Sequence, residues 1–149
     1  MEERLAHGTA QADVGGAAAR FVRAWPAVAE SVAHARRSVV EHVRRLGATP
    51  AALAAVELAV SEATTNVVQH AYGDRHEPGT LTVAAETSEG CVVVTVVDEG
   101  RGMRPRPDSP GLGLGLPLIS QMTQSFEVHQ PAGGGTVLSM RFDPQRGQL

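Results

Sequence analysis

Apolar and polar residues follow two different periods along this chain, and these separate the predicted helices from the predicted strands. Spacings of three and four between apolar positions predict helices at residues 27–46, 50–70 and 114–124. The first begins after Pro26, and the second has Thr49 as its cap and Pro50 at its first position. Shorter stretches rich in alternating or β-branched residues predict strands at residues 19–25, 80–87, 91–98, 126–130 and 136–142.

The order of these elements predicts an α+β fold. The last four strands form two hairpins, one turning at residues 88–90 and the other at the glycine-rich residues 131–135. Residues 72–79 are expected to form a polar turn. We therefore expect a two-layer sandwich in which three helices cover one face of a mostly antiparallel mixed sheet. Small residues without a sustained period predict a flexible leader at 1–18. The predicted elements form a domain at 19–143, and residues 144–149 are a tail.

Composition narrows the class of protein. The 149 residues suit one domain, and with 3% aromatic residues the core must consist mainly of Ala, Val and Leu. A net charge of −3 without a basic block gives no support for direct nucleic-acid binding. No signal peptide or apolar run approaching about 18 residues is evident, so we expect no membrane contact and a cytoplasmic protein. A single cysteine excludes a disulfide within the chain.

The second predicted helix carries polar side chains at a spacing of four residues. Glu62, Asn66 and His70 would project from one face of an α-helix, one turn apart. The amide oxygen of Asn66 suits a Mg²⁺ ion that bridges phosphate oxygens, and the carboxylate of Glu62 could take a proton from a hydroxyl. His70 could donate a hydrogen bond to a phosphate. Taken alone, the same pattern also fits an ordinary solvated helix face.

The strand at 91–98 ends in an acid followed by a Gly-x-Gly segment. A carboxylate at Asp98, at the mouth of a valine-rich strand, needs a partner, and the exocyclic amine of adenine is a suitable donor. Gly100 and Gly102 would let a base approach the backbone closely. A tight turn after a strand explains the same residues without a ligand, and the sequence does not separate the two explanations.

A second glycine run precedes the third helix. Free N–H groups at a helix N-terminus favour phosphate, and Gly111, Gly113 and Gly115 leave room for it. The intervening residues 101–110 hold three prolines and are expected to be an exposed loop that could serve as a lid. Thr136 follows the second hairpin turn, where its hydroxyl could touch a ligand or simply belong to the turn.

Two segments give the chain a family resemblance. Residues 61–72, Ser-Glu-Ala-Thr-Thr-Asn-Val-Val-Gln-His-Ala-Tyr, and 97–103, Val-Asp-Glu-Gly-Arg-Gly-Met, resemble motifs of the bacterial anti-sigma-factor serine/threonine kinases of partner-switching systems. Those kinases belong to the ATPase superfamily shared by gyrase, mismatch-repair ATPases and histidine kinases, whose ATP-binding fold is of the Bergerat type. The resemblance covers roughly residues 20 to 143, and it implies a Bergerat-type fold here.

The resemblance also implies a role for each motif residue. It makes Glu62 the general base, Asn66 the Mg²⁺ ligand and Asp98 the adenine contact. It also implies that Gly100 and Gly102 shape the base pocket. Gly113 and Gly115 would hold the phosphates, and Thr136 would lie near the adenine.

The implied cofactors are ATP and Mg²⁺, and the implied substrate is a serine or threonine of an anti-sigma-factor antagonist protein. A sigma factor is a further implied partner, and the implied assembly is a homodimer. The loop between Gly102 and Gly111 is shorter and richer in proline than the lid of better-known members. This departure keeps open a non-catalytic ATP-binding module that acts by protein–protein binding. The catalytic half of a split histidine kinase is a third alternative.

Overall fold

The computed structural model describes residues 20–73, 76–100 and 112–147, except for the side chains of residues 112–115. The predicted leader at 1–18 and the loop at 101–110 lie outside the described residues. In chain order the described elements are β1 (Phe21–Pro26), α1 (Ala29–Arg45), α2 (Pro50–Asn66), a π-helical turn (Val67–Ala71), β2 (Thr80–Ser88), β3 (Cys91–Asp98), α3 (Leu112–Met122), β4 (Ser125–His129) and β5 (Thr136–Phe142).

The five strands form one sheet in the order β1-β2-β3-β5-β4. All the pairings described between neighbouring strands are antiparallel, so the expectation of a mixed sheet is wrong in that detail. Each described strand therefore runs opposite to its neighbours in the sheet. The register places Asp98, the last residue of β3, directly beside Thr136, the first residue of β5.

The helices cover one face of the sheet, as the α+β prediction requires. Side chains along β3 and β5 alternate between buried and partly exposed, which is the period of a strand with one face against a core. The helices α1 and α2 pack on each other, and α2 also packs on α3 and on β3. The largest fully buried side chains are Leu81, Ile119, Leu138, Met140, Val39, Val43, Val56, Val60, Val83, Val92, Val94 and Val96.

The start of α2 matches the sequence prediction, and the start of α1 does not. Thr49 accepts a hydrogen bond at Oγ1 from the backbone N–H of Ala52 at 3.2 Å, with Pro50 at the first helical position. Pro26 was expected to open the first helix, but it is the last residue of β1 and pairs with Thr80. A proline has no N–H to donate to a ladder, and an edge strand such as β1 tolerates it.

The end of α2 differs from the prediction in two ways. The helix changes from α to π geometry at Val67–Ala71, where each N–H reaches back five residues instead of four. Tyr72, which was assigned to a polar turn, is buried with 8% of its surface exposed. Gly79 lies against its ring and the carbonyl of Thr80 accepts from its hydroxyl, whereas residues 73 and 76–78 are exposed, as expected of a polar turn.

Helix α2 and its π turn form the central helix of the molecule. Pro50–Ala71 is long and apolar enough to cross a membrane by length and composition alone, although Glu57 and Glu62 interrupt it, so it is not a continuous apolar run of the kind excluded from the sequence. Half of the apolar window is buried within this molecule, where α2 packs on α1, α3 and the sheet. This burial is typical of the core helix of a globular domain.

Candidate functional site

Asp98 and Thr136 lie side by side on the helix-facing side of the sheet. They end β3 and begin β5 as an antiparallel pair, and their exposed fractions are 4% and 2%. Side chains so paired have their Cβ atoms about 5 Å apart. A carboxylate and a hydroxyl therefore form one buried polar pair at the edge of an apolar core.

The carboxylate of Asp98 also shapes the turn that follows it. One carboxylate oxygen accepts a hydrogen bond from the backbone N–H of Gly100 at 3.0 Å. An ionised carboxylate has about four acceptor sites, and the bond from Gly100 uses one of them. Asp98 has a further interaction besides this bond. The geometry therefore suits a carboxylate that shapes its own turn and can also accept from a ligand.

Two glycines are required around this turn because other backbone groups lie against them. A Cβ on Gly100 would overlap the carbonyl group of Ala71, at the end of the π turn. Gly135 has a φ of +87°, and a Cβ there would overlap the carbonyl oxygen of Asp98. The N–H of Gly135 donates to the carbonyl of Gly100 at 3.0 Å. The sequence assigned Gly100 to the approach of a base, whereas the structure gives it a packing reason.

Glu62 and Asn66 lie in the last turns of α2, at the spacing that puts both on one face. Asn66 is buried, with 7% of its surface exposed, and its side chain makes no hydrogen bond to any residue that the structure describes. Glu62 is half-buried and has no ion-pair partner within the same described ranges. The amide atoms of Asn66 are not among the buried, unsatisfied polar atoms of the described residues, so solvent reaches them and a ligand that binds there would replace that solvent.

His70 lies in the π turn, where the spacing argument made for an α-helix does not extend. A π turn has more residues per turn than an α-helix, so a residue four positions after Asn66 is rotated away from the position that α geometry gives. His70 is half-buried in this turn. Its contact with a phosphate stays a prediction.

Only part of the glycine run at 111–115 lies among the residues that the structure describes. Helix α3 begins at Leu112, two residues earlier than expected, so Gly113 and Gly115 belong to its first turn. The first four N–H groups of a helix have no partner inside the helix, and these two residues carry two of them. Gly102 and Gly111 lie outside the described residues, and their roles stay predictions.

Tyr72 was not singled out from the sequence as part of the site. Its hydroxyl accepts from the backbone N–H of Glu99 at 2.9 Å and donates to the carbonyl of Thr80. This tyrosine therefore joins the end of the central helix to the residue after Asp98. The available signal was its rarity: it is the single tyrosine in a chain with 3% aromatic residues.

Comparisons with known proteins agree with this architecture. Residues 25–142 match the model of the histidine kinase-like ATPase domain family. The chain is 33% identical over 127 residues to an anti-sigma F factor of Clostridium beijerinckii, an alignment that covers 76% of this chain and 88% of the relative. It is 32% identical over 139 residues to the serine-protein kinase RsbW of Halalkalibacterium halodurans, with 83% of each chain covered.

A solved structure shows the same fold. The crystal structure of the RsbU and RsbW domains of a Mycobacterium tuberculosis protein superposes with a TM-score of 0.63 at 22% identity, over 87% of this chain. The chain spans 34% of that longer protein, so this likeness bears on the fold alone. With its sequence matches and its sheet-and-helix order, the chain belongs to the histidine kinase-like ATPase domain family, within the group of anti-sigma-factor serine kinases of partner-switching systems.

Proposed function

We propose that this protein is an ATP-dependent protein serine/threonine kinase that phosphorylates an anti-sigma-factor antagonist and thereby regulates transcription. The observation that carries the proposal is the buried carboxylate of Asp98 beside Thr136, at the end of β3 and next to the end of the π turn that follows α2. Family membership supports ATP as the ligand, and the relatives named anti-sigma F factor and RsbW support the regulatory role.

The residues present fit a Mg²⁺-nucleotide in their chemistry. The side chain of Asn66 makes no hydrogen bond among the described residues and its amide is reached by solvent, and an amide oxygen is the kind of ligand that Mg²⁺ accepts beside water and phosphate. When bound, Mg²⁺ would neutralise charge on the transferring phosphoryl group. Asp98 would accept a hydrogen bond from the adenine amine with Thr136 beside it, and Gly113 and Gly115 would present helix N–H groups to the phosphates.

Glu62 is the proposed general base. It would take the proton from the serine or threonine hydroxyl of the antagonist as that oxygen bonds to the γ-phosphorus and the bond to ADP breaks. Its position one turn before Asn66 places the base and the proposed metal ligand on the same helix face. His70 would donate to the phosphates, and Gly100, Gly102 and Gly111 would complete the walls of the pocket.

The proposed partners are proteins. The phosphoacceptor is an anti-sigma-factor antagonist, a sigma factor is the second partner, and the kinase acts as a homodimer in the cytoplasm. An added phosphate carries close to two negative charges, which is enough to disrupt or reshape an interface with the antagonist. We propose no direct contact with nucleic acid or with a membrane.

The second candidate function is a non-catalytic ATP-binding module that acts by protein binding. The short segment with three prolines between Gly102 and Gly111 favours it, because gated capture of a protein substrate needs a mobile lid. The two candidates predict the same nucleotide binding and differ in phosphoryl transfer.

Two measurements on the purified protein separate these outcomes. Calorimetric titration with ATP, with and without Mg²⁺, should give Mg²⁺-dependent binding. Incubation with γ-labelled ATP and candidate antagonists should then label a serine or threonine. Binding without transfer to any antagonist that forms a complex would favour the non-catalytic module. No binding at millimolar ATP would refute both candidates.

A further inference from the structure

Tyr72 connects three segments of the chain: the end of the π turn, the start of β2 and the residue after β3. Its hydroxyl donates to the carbonyl of Thr80, at the start of β2, and accepts from the N–H of Glu99, immediately after β3. A phenol has one proton to donate and lone pairs to accept with, so these two contacts use the hydroxyl in both capacities. The residue after the π turn is thereby hydrogen-bonded to the start of β2 and to the residue that follows β3.

Two glycines leave the space that the tyrosine ring and its neighbour occupy. A Cβ on Gly79 would overlap the ring of Tyr72, and a Cβ on Gly100 would overlap the carbonyl of Ala71. Neither glycine lies in the left-handed region of φ, so the close approach of other atoms explains their identity. The backbone on both sides of Tyr72 is thus fitted to the ring.

The π turn determines where Tyr72 lies. Val67–Ala71 inserts a wide turn between α2 and Tyr72, and this rotates the following residue relative to the phase of the preceding α-helix. π turns inside helices occur frequently at functional sites. Here the turn ends with Tyr72 against the segment Asp98–Glu99–Gly100 instead of continuing the face that carries Asn66.

We propose that Tyr72 is a positioning residue for recognition of the nucleotide base: its hydroxyl, bonded to Glu99 and Thr80, holds the turn that orients the carboxylate of Asp98. This inference rests on the proposed nucleotide function and goes beyond it, because it assigns base selectivity to a side chain that was given no role in the site. The turn is held on its other side by Gly135, whose N–H bonds to Gly100. Asp98 is therefore fixed between two anchors.

The test is the selectivity between ATP and inosine triphosphate, which carries an oxygen where ATP carries the 6-amino group. The wild-type protein should prefer ATP by about ten- to a hundredfold, the range for a hydrogen bond to a charged group. Tyr72→Phe keeps the ring and removes the hydroxyl. It should weaken ATP binding about three- to tenfold, leave the weak inosine triphosphate binding nearly unchanged, and so reduce the preference by the same factor.

A second variant disturbs the same contact from the other side. Gly79→Ala places a methyl group against the Tyr72 ring, and it should reduce the preference for ATP as Tyr72→Phe does.

Two variants are matched controls. Gly133→Ala adds a methyl group where no atom lies within 4 Å, and Thr123→Val removes another buried hydroxyl, which donates to Ile119 at 2.8 Å. Both should keep the wild-type preference.

The outcomes are distinguishable. A merely structural role would leave the ratio of the two dissociation constants unchanged once folding is verified by circular dichroism. A wild-type ratio in Tyr72→Phe would therefore overturn the inference and leave the proposed function intact. If Tyr72→Phe does not fold, the ratio measured for Gly79→Ala decides in the same way. Absence of ATP binding by the wild type would overturn the proposed function and the inference together.

Discussion

A buried carboxylate is the central residue-scale feature of this molecule. Asp98 has 4% of its surface exposed and lies against a core made mostly of valine and alanine. Moving a carboxylate out of water is expensive unless hydrogen bonds replace the lost solvation. The N–H of Gly100 supplies one of them, and the proposed adenine amine would supply another. A hydrogen bond from a neutral ligand donor would therefore replace part of the solvation that the Asp98 carboxylate loses on burial.

Replacing that charge gives the first prediction. Asp98→Asn keeps the shape but turns an amide toward the adenine amine, and ATP affinity should fall at least about tenfold, to the point of no measurable binding. Calorimetric titration measures this. Asp143→Asn is the matched control, because Asp143 accepts the N–H of Gln145 at 2.9 Å in a similar turn at the surface. Equal affinities of Asp98→Asn and the wild type would refute the adenine contact.

Glu62→Gln separates binding from chemistry. The amide cannot accept a proton, so phosphoryl transfer to an antagonist should slow about 100-fold or more, the usual contribution of a positioned base. The affinity for ATP should remain within about twofold, because no nucleotide contact is assigned to this side chain. Single-turnover transfer and calorimetry give the two numbers. Glu57→Gln, an exposed glutamate on the same helix, should alter neither; a wild-type transfer rate in Glu62→Gln would refute the base assignment.

At this scale the sequence identifies residues whose role follows from local position. Asp98 ends a strand, and Asn66 lies one helical turn after Glu62, and both facts can be read from the sequence pattern. The contact between Tyr72 and Glu99 could not be predicted, because the two residues are 27 positions apart and meet through packing alone. The packing reason for Gly100 was hidden likewise, since Ala71 approaches it from another element.

At the scale of helices and strands, the features that depend on neighbours in sequence were predicted, and the backbone geometry at the end of the central helix was not. The Thr49 cap, the hairpin strand Cys91–Asp98 and the strand Thr136–Phe142 have the predicted bounds, because each depends on neighbours in sequence. The change from α to π geometry after Asn66 was missed. Apolar periodicity predicts that a helix continues to about residue 70, but it does not distinguish hydrogen bonds to the fourth residue from those to the fifth.

The β4–β5 hairpin gives the element-scale prediction. Gly135→Ala would strain a backbone with a φ of +87° and would also overlap the carbonyl oxygen of Asp98, so both stability and ATP affinity should fall. Gly90→Ala separates the two effects, since Gly90 has a φ of +76° but no atom within 4 Å of its Cβ position. It should lose about 1–3 kcal/mol of stability with unchanged ATP affinity. Urea unfolding and calorimetry measure the pair, and equal ATP affinities in the two variants would contradict the link from Gly135 to Asp98.

At the scale of the whole molecule, the proposed site lies where the two layers meet. Asn66 and Glu62 belong to the helix layer, whereas Asp98 and Thr136 belong to the sheet. The contacts between these layers at the site include the packing of Ala71 on Gly100 and the hydrogen bonds of Tyr72. A nucleotide held by both layers would add contacts between them that the protein alone does not make.

Binding to the folded state alone must raise the stability of the whole domain. At a free Mg²⁺-ATP concentration 100 times the dissociation constant, the gain is about 2.7 kcal/mol. For a domain of this size that corresponds to a rise in Tm of roughly 5–11 °C. Differential scanning calorimetry should show this rise for the wild type and none for Asp98→Asn. Mg²⁺-ADP should raise Tm as well, because the proposed base contact is shared by both nucleotides. A rise in Tm retained by Asp98→Asn would place the nucleotide away from the end of β3.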